Sequence, residues 1–226
     1  VEDPSRYGVA ELTKGNRVKI FVEKPLLEAA PTNLINAGVY ALSPEIFKYI
    51  PEGRTVSLER EIFPKLAKEG RLYGYAFDGL WMDIGKPEDY LEVNKALLNS
   101  FSTHQKYKIG NKVEVKKPVA LDKGVSIGEK SVIGPYAVLG RKVVVGKNVY
   151  IQDSIILPET VIGDFSTISG AIIGENVVIG REVKIGRGCI IGDHVVIKDK
   201  VSLAEGVSIC PAKEVSESVL TTKCIV

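Results

Sequence analysis

Ile127-Gly128-Glu129-Lys130-Ser131-Val132, Ile133-Gly134-Pro135-Tyr136-Ala137-Val138, Leu139-Gly140-Arg141-Lys142-Val143-Val144 and Val145-Gly146-Lys147-Asn148-Val149-Tyr150 are four successive units of one six-residue pattern. An aliphatic residue heads each unit, a glycine or small polar residue usually follows, and a small or β-branched residue usually holds the fifth place. A period of six belongs neither to a helix nor to an alternating strand; it is the hexapeptide signature of a parallel β-helix.

The register runs outward from these units to Ile109 at one end and to Val215 at the other, through 19 units with five-residue steps only after Ile151 and Ile168. Three short strands per coil turn the chain around a triangle, so the units predict about six coils at roughly 4.8 Å per coil. The heading aliphatics then stack into ladders inside the prism, and each strand pairs its backbone with the coils above and below. Glycine at the second place is expected where a corner needs an unusual backbone angle.

The chain has 226 residues, 45% of them hydrophobic, enough for two modest domains. Thirty Lys and Arg against 28 Asp and Glu leave a net charge of +2, which gives no reason to propose nucleic acid or an anionic membrane as partner. No apolar run approaches the length of a membrane span and the start does not resemble a signal peptide, so a cytoplasmic location is the expectation. Val1 stands where an initiator methionine would, which makes a fragment or a processed product the expectation. Cys189, Cys210 and Cys224 have spacings of neither a zinc site nor a disulfide framework, and Cys189, at a fifth place, reads as core filler.

Ahead of the repeat, short apolar runs alternate with helical segments, the sign of an α/β layer. Residues 8–12 and 18–22 read as strands around a turn at Lys14-Gly15-Asn16, and 34–42, 71–77 and 80–84 as further strands. Ser43 reads as the cap of a short helix with Pro44 at its first position, and Ser57 as the start of another, which Pro64 kinks or splits and Gly70 ends. A last helix is expected over 87–99. The expected domains are 1–99, a linker over 100–108, and the β-helix over 109–226.

Two places stand out for chemistry. Phe21-Val22-Glu23-Lys24-Pro25 ends a strand with an acid, a base and a proline, and Trp81-Met82-Asp83-Ile84-Gly85 sets one carboxylate among apolar side chains before a glycine. On their own, both also read as ordinary strand ends carrying a solvated charge.

With Glu2-Asp3-Pro4-Ser5-Arg6-Tyr7-Gly8-Val9 and Ile35-Asn36-Ala37-Gly38-Val39-Tyr40, these motifs resemble, in order and spacing, the sugar-phosphate nucleotidyltransferases, nearest to their mannose-1-phosphate guanylyltransferase branch. The resemblance covers residues 1 to about 100, and the hexapeptide part follows where that family places it. It implies an α/β part that is the later half of a nucleotidyltransferase domain, followed by an all-β left-handed parallel β-helix. It further implies that Lys24 holds the sugar 1-phosphate, that Glu23, Asn36 and Glu59 bond sugar hydroxyls, and that Gly8 lets the backbone approach the sugar. Asp83 would be one of two carboxylates binding Mg²⁺, which makes Lys24 and Asp83 the expected catalytic residues. The implied partners are a sugar 1-phosphate and a nucleoside triphosphate, GTP for the branch named. The family's glycine-rich phosphate loop is not found: no Gly-x-Gly followed by Arg-Leu occurs in the chain.

A hexapeptide acyltransferase, with His194 at a corner or His104 in the linker as its base, is the alternative enzyme reading. An assembly module without chemistry is the third. Self-association through the prism is expected, with Tyr136 and Tyr150 as exposed aromatic residues on its faces.

Overall fold

A computed structural model describes residues 1–100 and 112–225. The chain divides into two compact units, Val1–Trp81 and Met82–Val226. The expected linker beyond Ser100, the Ile109 unit and His104 lie outside the described residues.

In the first unit, strands β1 (Gly8–Leu12) and β2 (Val18–Glu23) form an antiparallel hairpin in which Gly8 faces Glu23 and Val9 faces Val22. Asn16 takes the left-handed conformation at the turn, with φ of 61°, as the Lys14-Gly15-Asn16 reading anticipates. The expected strands over 34–42 and 71–77 reduce to single bridges, Val9 with Ile35 and Arg17 with Tyr73, and 80–84 forms no strand. The reason is visible at Gly38, whose φ of +76° turns the chain away from β1, so the alternation of 38–42 meets no neighbour to pair with among the described residues.

Ser57 caps the next helical segment by accepting the Arg60 N–H through its hydroxyl. Pro64 has no N–H and its ring excludes the carbonyl four residues earlier. The chain therefore makes a wide turn over Leu58–Ile62, in which the Phe63 N–H reaches the Leu58 carbonyl, before helix α1 (Phe63–Lys68) begins. Proline thus splits the helix, and Gly70, at φ +69°, ends it. Ser43 does not cap as expected: its hydroxyl turns to the Glu45 carboxylate, and Pro44–Tyr49 is only a tight 3₁₀ segment. Val18, Phe21, Ile62, Phe63, Leu66 and Ala67 are the core of this unit.

The second unit begins with an extended stretch and helix α2 (Pro87–Ser100), whose Asn99 accepts a bond of 3.3 Å from the Tyr136 hydroxyl. The prism follows. Its strands fall into three parallel sheets of 7, 6 and 6 strands in which each strand pairs with those three units away. One face carries the heads Leu121, Leu139, Ile156, Ile173, Ile191, Ile209 and Ile225; a second, Ile127, Val145, Ile162, Ile179, Ile197 and Val215; the third, Val115, Ile133, Ile151, Ile168, Ile185 and Leu203. Every head from Val115 to Val215 lies in a strand, so the register holds wherever it is described. The fold is an α/β part followed by a left-handed parallel β-helix of about six coils.

Burial explains the pattern. The heads from Ile133 to Val215 and the fifth-place residues Val143, Val149, Val177, Val183, Cys189, Val195, Val201 and Val207 fill one continuous core. Ser131, Thr160 and Ser166 sit fully buried at fifth places without penalty, because each hydroxyl donates to a carbonyl of the next coil and accepts an N–H from it. Cys189 is likewise buried against the Ala204 carbonyl, and burial pushes its thiol pKa up, which makes it a packing residue.

The role expected of the second-place glycines is corrected. Among the described residues, with the exception of Gly134, they do not adopt a positive φ; a Cβ at Gly128 would meet the Gly146 carbonyl oxygen at 2.5 Å, so it is the closeness of the next coil that excludes a side chain. The left-handed residue is the fourth, and it is mostly not glycine: Lys130, Lys142, Asn148, Glu159, Phe165, Asn176, Glu182, His194 and Lys200 all have φ between 54° and 63°. Each costs about 1–2 kcal/mol, offset by an N–H bond to the preceding coil, such as Lys142 to the Lys123 carbonyl at 2.9 Å. Residues after Ser218 complete the prism: Val219 pairs with Leu203, and Cys224–Ile225 adds a strand beside Ser208–Ile209. Tyr136 and Tyr150 are half-buried rather than free on the surface, the first engaged by α2 and the second bonded to Gln152.

Candidate active site

At the open end of the β1–β2 hairpin the register sets Gly8 beside Glu23. A Cβ on Gly8 would lie 2.7 Å from a Glu23 carboxylate oxygen, 2.8 Å from the tip of Phe21 and 3.3 Å from the Asn36 Cβ. Only glycine leaves room for that approach, so Gly8, Glu23 and Asn36 form one cluster. The Asn36 N–H donates to the Gly8 carbonyl at 2.7 Å, and its Oδ1 accepts the Gly38 N–H, which fixes the side chain at the point where the chain turns.

Lys24 follows directly on β2. Its N–H donates to the Tyr7 carbonyl at 3.0 Å, and its φ is +49°. A lysine ahead of proline disfavours helical backbone angles and gains nothing locally from the left-handed region, so this geometry is imposed by the surroundings. Pro25 is buried while the Lys24 side chain is exposed, available to an anion.

Glu59 joins the cluster through Tyr40. The Asn36 amide donates to the Tyr40 hydroxyl at 2.6 Å, which donates to Glu59 at 3.0 Å, and the Ser57 hydroxyl donates to the other Glu59 oxygen at 3.0 Å. Burial tends to raise the Glu59 pKa, but its own backbone N–H and the Ser57 and Tyr40 hydroxyls outweigh that and hold the carboxyl below its ordinary value. The Tyr40 phenol moves the other way: burial raises its pKa, and the charges of Glu59 and Glu23 add to this against the Asn36 bond. Two carboxylates, an amide and a phenol thus converge on one side of Gly8, a set suited to neutral polyhydroxy groups.

Five of the expected residues, Gly8, Glu23, Lys24, Asn36 and Glu59, lie in the first unit. Asp83 falls in the second, exposed in the extended stretch ahead of α2. Trp81, the last residue of the first unit, donates its indole N–H to the Ala37 carbonyl at 3.2 Å and meets the Tyr7 ring edge-on at 5.1 Å, so it pins the 36–38 turn. Tyr40 had no assigned role in the sequence, and Ser57 only that of a helix start. The one signal was a tyrosine four residues after the asparagine, and no spacing rule reveals that it links Asn36 to Glu59.

Asp83 supplies one hard oxygen donor group, of the kind Mg²⁺ takes when one or two carboxylates combine with substrate phosphates. Among the described residues no three His, Cys, Asp or Glu side chains gather as a metal centre. His194 lies exposed on a prism corner with φ of 59°, one of the regular fourth-place turns. A cavity of about 660 Å³ also opens in the first unit, with Asn36 and Tyr40 in its wall. Glu23, Lys24 and Glu59 do not line it, and Leu34, Leu72, Tyr75 and Phe77 make it largely apolar. No described helix is long and apolar enough to cross a membrane.

Comparison with known proteins gives two family matches. Residues 104–225, more than half of the chain, match the GMPPB C-terminal domain, and residues 1–100 match the nucleotidyl transferase family. Among curated relatives, a mannose-1-phosphate guanyltransferase of Saccharomyces cerevisiae is 40% identical over 111 residues, 48% of this chain and 30% of its own length. The mannose-1-phosphate guanylyltransferase catalytic subunit beta of Danio rerio is 47% identical over 92 residues, 40% of this chain and 25% of that protein. The chain therefore spans less than a third of these relatives. A hexapeptide transferase family protein from Anaplasma phagocytophilum is 25% identical with a TM-score of 0.41, over 50% of this chain and 74% of that one.

Proposed function

The chain belongs to the family of the GMPPB C-terminal domain, with a nucleotidyl transferase segment ahead of it, and from this we propose that it supplies the sugar-phosphate side of a mannose-1-phosphate guanylyltransferase. In that reaction a phosphate oxygen of the sugar 1-phosphate attacks the α-phosphorus of GTP in line. The bond from that phosphorus to the β-phosphate oxygen breaks and pyrophosphate leaves.

The observation that carries the reading is the convergence of Glu23, Asn36 and the Tyr40–Glu59 pair around Gly8, with Lys24 held beside them in a strained conformation. Glu23, Asn36 and Glu59 accept from or donate to sugar hydroxyls. Lys24 holds the sugar phosphate, lowering its charge repulsion with the triphosphate. Mg²⁺, with Asp83 among its ligands, supplies further charge neutralisation when bound. The nucleotide is held by residues other than those described here, since no phosphate-cradling glycine loop occurs in the sequence. The exposed apolar side chains of the first unit, Val39 at 88% and Tyr75 at 86%, fit a surface covered by such a nucleotide-binding part.

Calorimetry on this chain tests the proposal. Mannose 1-phosphate is expected to bind and GTP to show no micromolar binding. Binding of acetyl-coenzyme A without sugar phosphate would overturn it in favour of acyl transfer.

A further inference from the structure

Two of the three cysteines meet where the last strand of the prism stacks on the coil before it. Ser208–Ile209 and Cys224–Ile225 pair in parallel, Ser208 beside Cys224 and Ile209 beside Ile225, and the Cys210 N–H donates to the Ile225 carbonyl at 2.8 Å. Ile209 and Ile225 pack on the core, so Cys224, one place before its head, points outward. Cys210, one place after its head, points along the prism. A Cβ at Gly192, which holds the same place one coil earlier, would meet the Pro211 backbone nitrogen in the next coil at 2.6 Å. The Cβ of Cys210 is thus aimed at the coil that carries Cys224, and the two thiols are close enough to interact. The sequence spacing of the cysteines gives no sign of the pair, which exists only because one coil stacks on another.

The pair sits at a weak point of the prism. Cys224–Ile225 is the outermost strand of its seven-stranded sheet, so among the described residues it has a neighbour on one side only. Such an edge opens more readily than a strand paired on both sides. Ile225 packs against the core from this strand, so its opening uncovers buried heads such as Ile209. Access to the three thiols also differs. Cys224 is exposed, Cys210 half-buried, and Cys189 buried against the Ala204 carbonyl. An oxidant therefore reaches Cys224 first, with Cys210 as its neighbour and Cys189 out of reach.

We propose that Cys210 and Cys224 are a modification site: they close into a reversible disulfide that staples the last strand to the coil before it. The oxidant is a small-molecule disulfide. The Cys224 thiolate attacks one of its sulfurs, the bond between its two sulfurs breaks, and one small thiol leaves as the mixed disulfide forms. The Cys210 thiolate then attacks the Cys224 sulfur and releases the second small thiol. Two electrons pass from the cysteine pair to the oxidant, and the two cysteine protons end on the released thiols. Desolvation and the interaction with Cys210 raise the Cys224 pKa, so little thiolate is present and the staple sets slowly. Diagonal neighbours in a sheet stand about 7–8 Å apart, and a disulfide spans about 4.4–6.8 Å between Cα atoms. Closure therefore draws Cys224 toward Cys210, a small shift that a strand paired on one side permits.

The test incubates the whole chain with oxidised glutathione at low protein concentration, then counts free thiols after unfolding and maps peptides without reduction. The count is expected to fall from three to one, with a peptide cross-linked through Cys210 and Cys224. The thermal midpoint should rise by roughly 5 °C and return on adding dithiothreitol. Cys210→Ser and Cys224→Ser are expected to keep the circular dichroism spectrum and lose both the cross-link and the rise. Cys189→Ser should retain both, since serine is accommodated at other fifth places such as Ser131. Three thiols persisting, glutathione left on Cys224 without closure, or a cross-link to Cys189 or between chains would overturn the proposal. A Cys210–Cys224 cross-link without any rise in midpoint would refute the stapling. None of these readouts involves sugar-phosphate binding, so their outcome is independent of the proposed reaction.

Discussion

Substituting Gly8 by alanine puts one methyl group into the centre of the candidate sugar site. The new Cβ would stand 2.7 Å from the Glu23 oxygen, 2.8 Å from Phe21 and 3.3 Å from Asn36. The Glu23 carboxylate ends a flexible side chain and yields first, by about 0.7 Å to reach ordinary contact. Phe21 packs edge-on against Phe63 at 5.5 Å and yields less readily, so some overpacking remains, with a cost of about 1–3 kcal/mol. A displaced carboxylate loses a charge-assisted bond to a sugar hydroxyl, about 1.5–3 kcal/mol, or roughly 10-fold to 150-fold in affinity.

The assay is calorimetric titration of the chain with mannose 1-phosphate, for Gly8→Ala, Glu23→Ala and the double variant. If Gly8→Ala acts through Glu23, it costs affinity in the wild-type background and almost nothing once Glu23 has been removed. A full loss in both backgrounds would mean that Gly8 acts elsewhere. Wild-type affinity in Gly8→Ala would refute the geometric argument outright.

Asp83→Asn, made in an active protein containing this chain, is expected to reduce turnover at least 100-fold with the melting temperature unchanged, because a neutral amide is a poor ligand for Mg²⁺; steady-state kinetics with wild-type turnover would remove Asp83 from the site. Ile179→Asp places a carboxylate among fully buried heads and is expected to cost at least about 4 kcal/mol near neutral pH, read by urea unfolding. Because burial raises the pKa of the new acid, that loss should shrink as pH falls toward the ordinary carboxylate value, and an unchanged transition would contradict the register. For Glu59 the folded pKa is lowered, so its contribution to stability is complete above the ordinary value and disappears as pH falls through the folded one. Glu59→Gln should therefore flatten the acid side of the stability profile, and an identical profile would count against the Ser57–Glu59–Tyr40 linkage.

How much of this was legible in the sequence depended on how local the controlling physics was. In the prism a strand needs only its own hexapeptide and two copies of it, so periodicity alone placed every head from Val115 to Val215. The error there concerned cause. Composition associates glycine with unusual angles, but whether a backbone turns or is merely crowded is decided by the neighbouring coil, 18 residues away for Gly128 and Gly146. Over 34–42 and 71–77 alternation was present and paired strands were not, because a ladder needs a partner that the alternation itself does not name.

The candidate site shows the same division between residue type and position. Glu23 and Lys24 could be singled out because an acid, a base and a proline ending a strand are chemically conspicuous, and resemblance to a family gave them roles. What joins them to Asn36 and Glu59 is a tyrosine of ordinary appearance whose hydroxyl bonds to both. That hydroxyl accepts from an amide and donates to a carboxylate, so it can serve both neighbours only with its proton in place. A phenol keeps its proton near neutral pH in any case; burial first, and then the bond to Glu59 and the charges of Glu59 and Glu23, raise its pKa and extend that range further into alkali. The link between Asn36 and Glu59 through Tyr40 is therefore expected to hold across the neutral range.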